Sequence, residues 1–292
     1  MIQNSVGLLG LGYLGKEVIR ISQNTLPFWA TTTQLNDVDP QLRSQILLFE
    51  FNWGDKKSWS VIPKDSTKLV ITIPPLSTIL EDETMRLETW CQWMNDNRPN
   101  LRNVIYISTI GVYPKKKGIW SEDYIFKADQ LKSNIRLVTE DILNKYFNLN
   151  VIRPGGIYGP SRLIGQRVIK KKDSSFLQRF VYRIHVSDLA GIVLTAIKNQ
   201  MFPKILNAVD LTPSYTFEVI KWLLTQNEFQ VPRDINDFYE SIIQPDYKIE
   251  KTQERIISNR LLVNGLGYKL KYPSYKEGFR QAVENTNLAS FN

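Results

Sequence analysis

Along the first half of the chain, apolar residues come in short, nearly continuous runs, separated by stretches with helical spacing. The runs are 5–12 (SVGLLGLG), 27–33 (PFWATTT), 46–53 (ILLFEFNW), 67–75 (TKLVITIPP), 103–109 (NVIYIST) and 150–160 (NVIRPGGIYGP). Continuous apolar runs of this length predict strands buried on both faces, as in a parallel sheet covered on each side. Between them, Leu14, Val18 and Ile21 share one face of a helix predicted over 13–24, and Leu87, Trp90, Cys91 and Met94 share one over 83–96. A further helix is predicted over 135–147. Pro74 and Pro75 stop the fourth run, because proline brings no N–H to a ladder. In the fifth, Ile105 and Ile107 read as buried. Ser108 and Thr109 arrive where the strand ends, and Gly111 and Pro114 mark a turn beyond it. Strands alternating with helices predict an α/β chain with a doubly wound parallel sheet.

The second half is less regular. Residues 162–175 read as loop and partial helix, and 181–199 (VYRIHVSDLAGIVLTAIKN) as a short extended piece, an N-cap at Ser187 and an apolar helix. A strand follows over 204–210, and then a helix over 214–226 that starts at Ser214 or Thr216. Residues 258–283 hold a helix closed by Gly265, a loop and a final helix.

Composition changes this picture little. The 292 residues are 42% hydrophobic and 23% charged, as in ordinary globular proteins. No apolar run reaches the ~18 residues of a membrane span. The first residues lack the basic start and small-residue cleavage site of a signal peptide, so none is expected. Cys91 is the only cysteine and His185 the only histidine. An internal disulfide is excluded, a transition-metal site is not expected, and a reducing cytoplasm is the simplest setting. His185 reads either as a titrating group or as a histidine bonding backbone beside the next helix, with Arg183 a weaker candidate for an anion contact.

The net charge of +8 fits a basic protein with solvated lysines, an anionic ligand beside clustered lysines, or a nucleic acid. Lys115, Lys116 and Lys117 follow the fifth strand, and Arg167, Lys170, Lys171 and Lys172 follow the sixth. In a doubly wound sheet both loops belong to the carboxyl edge, where they favour an anionic small molecule such as a sugar nucleotide.

Gly10, Gly12 and Gly15 form G-x-G-x-x-G between a strand and a helix. The spacing suits a tight turn, a close backbone approach to a pyrophosphate, and a helix packed tightly on the sheet. This turn disfavours the nucleic-acid reading. The second strand ends in Thr31, Thr32 and Thr33, with no carboxylate before Asp37. An acidic residue there would favour NAD, so NADP is expected ahead of NAD. No arginine follows to hold a 2′-phosphate, which leaves Lys16 as a substitute.

Taken together, GLLGLGYLG, LVITIPP, YISTIGVYP, VIRPGGIYGP, RIHVSDLAG and LGYKLKYPSYKEG resemble the extended short-chain dehydrogenase/reductase superfamily, in particular its bacterial NAD-dependent epimerase/dehydratase-like branch. The resemblance implies a Rossmann domain over 1–160 plus about 181–210, and a smaller α/β substrate domain over 161–180 plus about 211–292. It implies cofactor contacts from Gly10, Gly12, Tyr13, Leu14, Gly15, Thr31, Thr32, Ile73, Pro74, Pro75, Ser108, Arg136, Pro154, Gly155 and Gly156. The family's catalytic hydroxyl falls on Thr109, four residues before Tyr113. The family's Tyr-x-x-x-Lys is absent: Lys132 stands at the tyrosine position and Arg136 at the lysine position. Arginine carries charge but does not shuttle protons. Tyr124 is the candidate for a displaced acid, with Tyr158 a further one; a surface or packing role is the alternative for both. The resemblance thus implies an oxidoreductase or epimerase acting on a sugar nucleotide or similar anionic substrate, and is compatible with a homodimer. The alternative is a non-catalytic NADP-binding sensor or partner protein.

Overall fold

Strand β1 (Val6–Leu9) is buried at every position and lies inside a seven-stranded sheet. The structure, a computed structural model, describes residues 5–22, 26–162, 177–226 and 255–284. The other strands of this sheet are β2 (Phe28–Thr32), β3 (Leu47–Glu50), β4 (Lys68–Ile71), β5 (Asn103–Ile107), β7 (Asn148–Pro154) and β11 (Ile205–Ala208). Their order is β11-β7-β5-β4-β1-β2-β3, every pair parallel. The winding reverses between β1 and β4, which opens a crevice beyond the carboxyl ends of these strands.

Neighbouring residues on a strand point to opposite faces, and both faces are covered. On one, α1 (Tyr13–Ser22) and α5 (Val186–Lys198) bring Val18, Ile19, Leu189 and Val193 against Leu8, Ala30, Val70 and Ile105. On the other, α3 (Leu80–Asn97) and α4 (Leu131–Tyr146) bring Leu87, Trp90, Met94 and Leu143 against Leu9, Ile71, Val104 and Tyr106. This double burial is why the runs carry so few polar residues. Lys68, at the start of β4, donates from Nζ to the carbonyl of Ile197 and so caps the end of α5.

Small pairings surround the sheet. Strand β6 (Gly118–Trp120) pairs in parallel with β13 (Arg255–Ile257), and β8 (Gly156–Tyr158) with β10 (Arg183–His185). The two-residue strands β9 (Phe180–Val181) and β12 (Ser214–Tyr215) pair antiparallel. Helix α6 (Thr216–Leu224) begins at Thr216, and α7 (Tyr275–Glu284) is the final helix described.

Three local differences from the sequence reading have physical causes. Helix α4 starts four residues early, because Ser133 Oγ donates to the carbonyl of Gly111 at 2.7 Å and ties the first turn to the segment after β5. Helix α2 (Pro40–Gln45) buries no residue and so has no periodicity to read; it rests on Pro40 in its first turn and on the Asp39 carboxylate, which accepts from the amides of Gln41 and Leu42. The cap of α5 is His185 instead of Ser187: the imidazole Nδ1 accepts the Ser187 amide at 3.2 Å.

Candidate functional site

The three glycines of the first turn meet three different constraints. Gly10 has φ of 100°, a conformation glycine adopts without strain. A Cβ there would stand 2.6 Å from Thr72 Oγ1. A Cβ on Gly15 would lie 2.6 Å from the Gly10 carbonyl oxygen, so this glycine lets α1 seat tightly on the turn. A Cβ on Gly12 would meet nothing within 4 Å. Gly12 therefore faces open space at the amino end of α1, where unpaired amides attract anions.

The surrounding groups hold this turn in place. Thr31 is buried, its Oγ1 accepts the Gly10 amide at 3.1 Å, and its carbonyl accepts from Leu11 at 2.7 Å. Thr72 Oγ1 donates to the Gly10 carbonyl at 2.7 Å. Thr32 is half-buried and donates to the Gln34 carbonyl at 3.2 Å. Tyr13 reaches across the turn to donate to the Pro160 carbonyl at 2.9 Å, with the Arg162 guanidinium 5.5 Å over its ring. Burial raises the Tyr13 hydroxyl far above its ordinary pKa. Leu14 packs into the core beneath, which leaves only its backbone to face a ligand. Beyond β4, Pro74 is exposed and Ile73 and Pro75 are half-buried. Their loop is anchored by the buried Glu83 carboxylate, which accepts the amides of Leu76 (3.1 Å) and Ser77 (2.9 Å) and pairs with Arg86.

At the end of β5 the two hydroxyls differ. Ser108 is buried and donates to Glu140 Oε1 at 2.5 Å, so its hydrogen is taken. Thr109 is half-buried and accepts the Gly111 amide at 3.0 Å. That bond uses an acceptor site and leaves the Thr109 hydrogen for an outside oxygen. Arg136 is half-buried and donates from Nη1 to Tyr106 at 2.9 Å. Burial pushes the Tyr106 hydroxyl up to about 12, against the pull of Arg136. Lys132, one turn earlier on α4, is exposed.

The tyrosines fall into distinct settings. Tyr113 donates to Asn207 Oδ1 at 2.9 Å and accepts from Arg153 Nη1 at 3.0 Å. Arg153 in turn pairs with Glu140 at 2.6 Å, with both side chains buried. Burial works against the Arg153 charge, but the Glu140 carboxylate outweighs it and holds the guanidinium above its ordinary value. Tyr158 donates to the Ser274 carbonyl at 3.1 Å and stacks on Phe279, which is a packing role. Tyr124 is 52% exposed and rests edge-on against Trp120, and its hydroxyl makes no hydrogen bond among the described residues.

Pro154, the last residue of β7, is buried, and a Cβ on Gly155 just beyond it would lie 2.7 Å from the Tyr182 carbonyl oxygen. The amides of Gly155 and Gly156 donate to Ala208 and Tyr182 at 3.0 and 2.8 Å. Gly10–Gly15, Ile73–Pro75, Ser108–Thr109 and Pro154–Gly156 thus lie at the carboxyl ends of four neighbouring strands, β1, β4, β5 and β7. Lys115, Lys116 and Lys117 are exposed beyond β5, while the run from Arg167 to Lys172 lies outside the described residues. His185 is fully buried, and burial lowers its pKa to about 4. Among the described residues, no group of His, Cys, Asp and Glu is arranged to hold a metal ion, and no helix is long and apolar enough to cross a membrane. Sequence reasoning missed Glu140 and Tyr106. Glu140 lies in a polar stretch, TEDILNK, where only its three-dimensional partners Ser108 and Arg153 reveal its burial.

No family model matches the sequence, and no curated protein does. Solved structures match closely in fold. A protein of Methylobacillus flagellatus, provisionally assigned as an NAD-dependent epimerase/dehydratase, superimposes with a TM-score of 0.72 at 20% identity over 96% of this chain and 98% of its own. A short-chain dehydrogenase/reductase superfamily protein of Agrobacterium tumefaciens with bound NAD gives 0.73 at 11% identity over 96% of each chain. The UDP-glucose 4-epimerase of Thermus thermophilus in complex with NAD gives 0.68 at 15% identity, covering 96% and 98%. The chain has the Rossmann-type α/β fold of these epimerases and short-chain dehydrogenases/reductases, over nearly its whole length.

Proposed function

We propose that the chain binds a nicotinamide dinucleotide across the Gly10–Gly15 turn and acts on a sugar nucleotide or similar polar, anionic small molecule, in a reaction of the epimerase, dehydratase or reductase type. The observation that carries this reading is the contrast between the glycines. Gly10 and Gly15 are closed in by their surroundings, whereas Gly12 opens onto free space at a helix amino terminus beside the reversal of strand order. That arrangement fits a pyrophosphate. A bound dinucleotide would accept or donate hydride. Around it, the Thr109 hydroxyl is free to donate to the reacting oxygen of the substrate. Arg136 brings a fixed positive charge and donors suited to ribose hydroxyls. We assign the proton exchange to Tyr124, whose hydroxyl makes no hydrogen bond among the described residues. The exposed lysines 115–117 supply a positive field that favours an anionic substrate. The named activity of the Thermus thermophilus neighbour, a UDP-glucose 4-epimerase, agrees with this substrate class.

Gly12→Val tests the reading, since a branched side chain would occupy the open space. Calorimetric titration should detect no NAD or NADP binding by the variant, while its circular dichroism spectrum stays that of the wild type. Unchanged affinity would overturn the proposal.

A further inference from the structure

The neutral end of β2 leaves open which group meets the adenosine ribose, and the neighbouring strand supplies one. Strands β2 and β3 pair in parallel with Thr32 opposite Glu50. Side chains at paired positions project to the same face of a sheet, and that face alternates along each strand. Two residues earlier, Ala30 and Leu48 pack on the side covered by α1. Thr32 and Glu50 therefore project to that same side, at the carboxyl ends of their strands. Glu50 is exposed, and its Oε1 accepts the Leu35 amide at 3.0 Å. The carboxylate is thus folded over the segment that directly follows Thr32. Thr32 turns its own hydrogen to the Gln34 carbonyl at 3.2 Å, so it offers an acceptor and no donor outward. Lys16 is exposed on α1 and makes no ion pair among the described residues.

We propose that Glu50 determines the choice of dinucleotide: from β3 it provides the carboxylate that β2 lacks, and so selects NAD over NADP. The proposal rests on the dinucleotide reading above and reverses the preference that the Thr31–Thr33 stretch suggests by itself. A carboxylate accepts from ribose hydroxyls, in a charge-assisted hydrogen bond. Facing a 2′-phosphate, it places like charges together at an interface, which is costly. A neutral strand end thus does not imply a neutral site, because the adjacent strand ends at the same height.

The test is calorimetric titration of wild type and Glu50→Gln with NAD and with NADP. Glutamine keeps a side-chain oxygen to accept the Leu35 amide, so the loop is retained. Wild type should prefer NAD by roughly tenfold or more. Glu50→Gln should bring the ratio close to one, mainly by tightening NADP. The wild-type preference should also shrink as salt is raised, since a charge repulsion at an exposed site is screened; this measurement needs no variant. A wild-type preference for NADP, or the same ratio in both proteins, overturns the role of Glu50 and leaves the dinucleotide reading standing. If wild type binds neither NAD nor NADP, that reading itself fails, and this proposal with it.

Discussion

Glu140 is a single carboxylate with two buried dependants, the Ser108 hydroxyl and the Arg153 guanidinium. Removing one partner of a buried pair leaves the other charge uncompensated, which typically costs about 3–5 kcal/mol. Glu140→Ala should therefore lose stability on that order in urea denaturation, and Glu140→Gln should lose less because it still accepts from Ser108. Equal, small losses would show that the pair is unimportant to the fold. Asp210 is a second residue-scale case. Burial raises its pKa to about 7, and the charges of Asp188 and Glu277 add to this against the Thr212 amide and Arg183. The unfolded chain gives up this proton near pH 3.8, while the folded chain keeps it to about pH 7. Stability is therefore lost as pH rises through that window. Asp210→Asn carries no such charge and keeps an acceptor for Thr212. The difference in melting temperature, variant minus wild type, should grow between pH 4 and pH 8; parallel curves would refute this.

At the scale of elements, α5 shows how one residue sets both a boundary and a pH response. Its cap, His185, is wedged between the rings of Tyr158 and Tyr272, with centroids at 5.2 and 4.0 Å. Burial lowers its pKa to about 4, with Lys271 and Arg20 reinforcing and Glu17 opposing. The unfolded chain takes up the proton as pH falls through 6.5, and the folded chain only near 4. This contribution is full above pH 6.5 and is lost as pH falls toward 4. His185→Asn retains a capping oxygen but loses ring packing. It should melt lower at every pH, with a flatter dependence between pH 4 and 6.5. An unchanged slope would mean that His185 does not titrate in that range.

For the molecule as a whole, the question is whether a site without the usual tyrosine turns over. A well-placed general acid contributes roughly 10²–10⁴-fold, and Arg136 stays protonated. Lys132 is exposed in the first turn of α4, so it does not replace the tyrosine. Converting Lys132→Tyr together with Arg136→Lys should raise hydride exchange on a panel of sugar nucleotides by up to roughly 10²-fold. Dinucleotide affinity should stay near that of wild type. Rapid wild-type turnover that survives Thr109→Ala and Tyr124→Phe would remove both residues from the chemistry.

The sheet was legible because its inner strands are buried on both sides, and that condition is written locally as apolar runs; edge strand β3 buries no residue fully and was read from its apolar run alone. The glycine turn was legible for the same kind of reason, since each of its requirements falls on one residue at a set spacing. The core of α3 could be read from the spacing of Leu87, Trp90, Cys91 and Met94, all of which are fully buried. Helix α2 could not, because it buries nothing. The site's polar wiring was equally hidden. The contact from Ser108 to Glu140 spans 32 residues and that from Tyr113 to Asn207 spans 94. No local pattern encodes such distances, and a glutamate destined for burial looks in sequence like one destined for water. The apolar runs and the glycine spacing thus determined the architecture and the place of the turn. Which hydroxyl stays free, which tyrosine is locked, and that a carboxylate stands beside Thr32 were decided by tertiary structure, because each depends on which strand ends lie side by side.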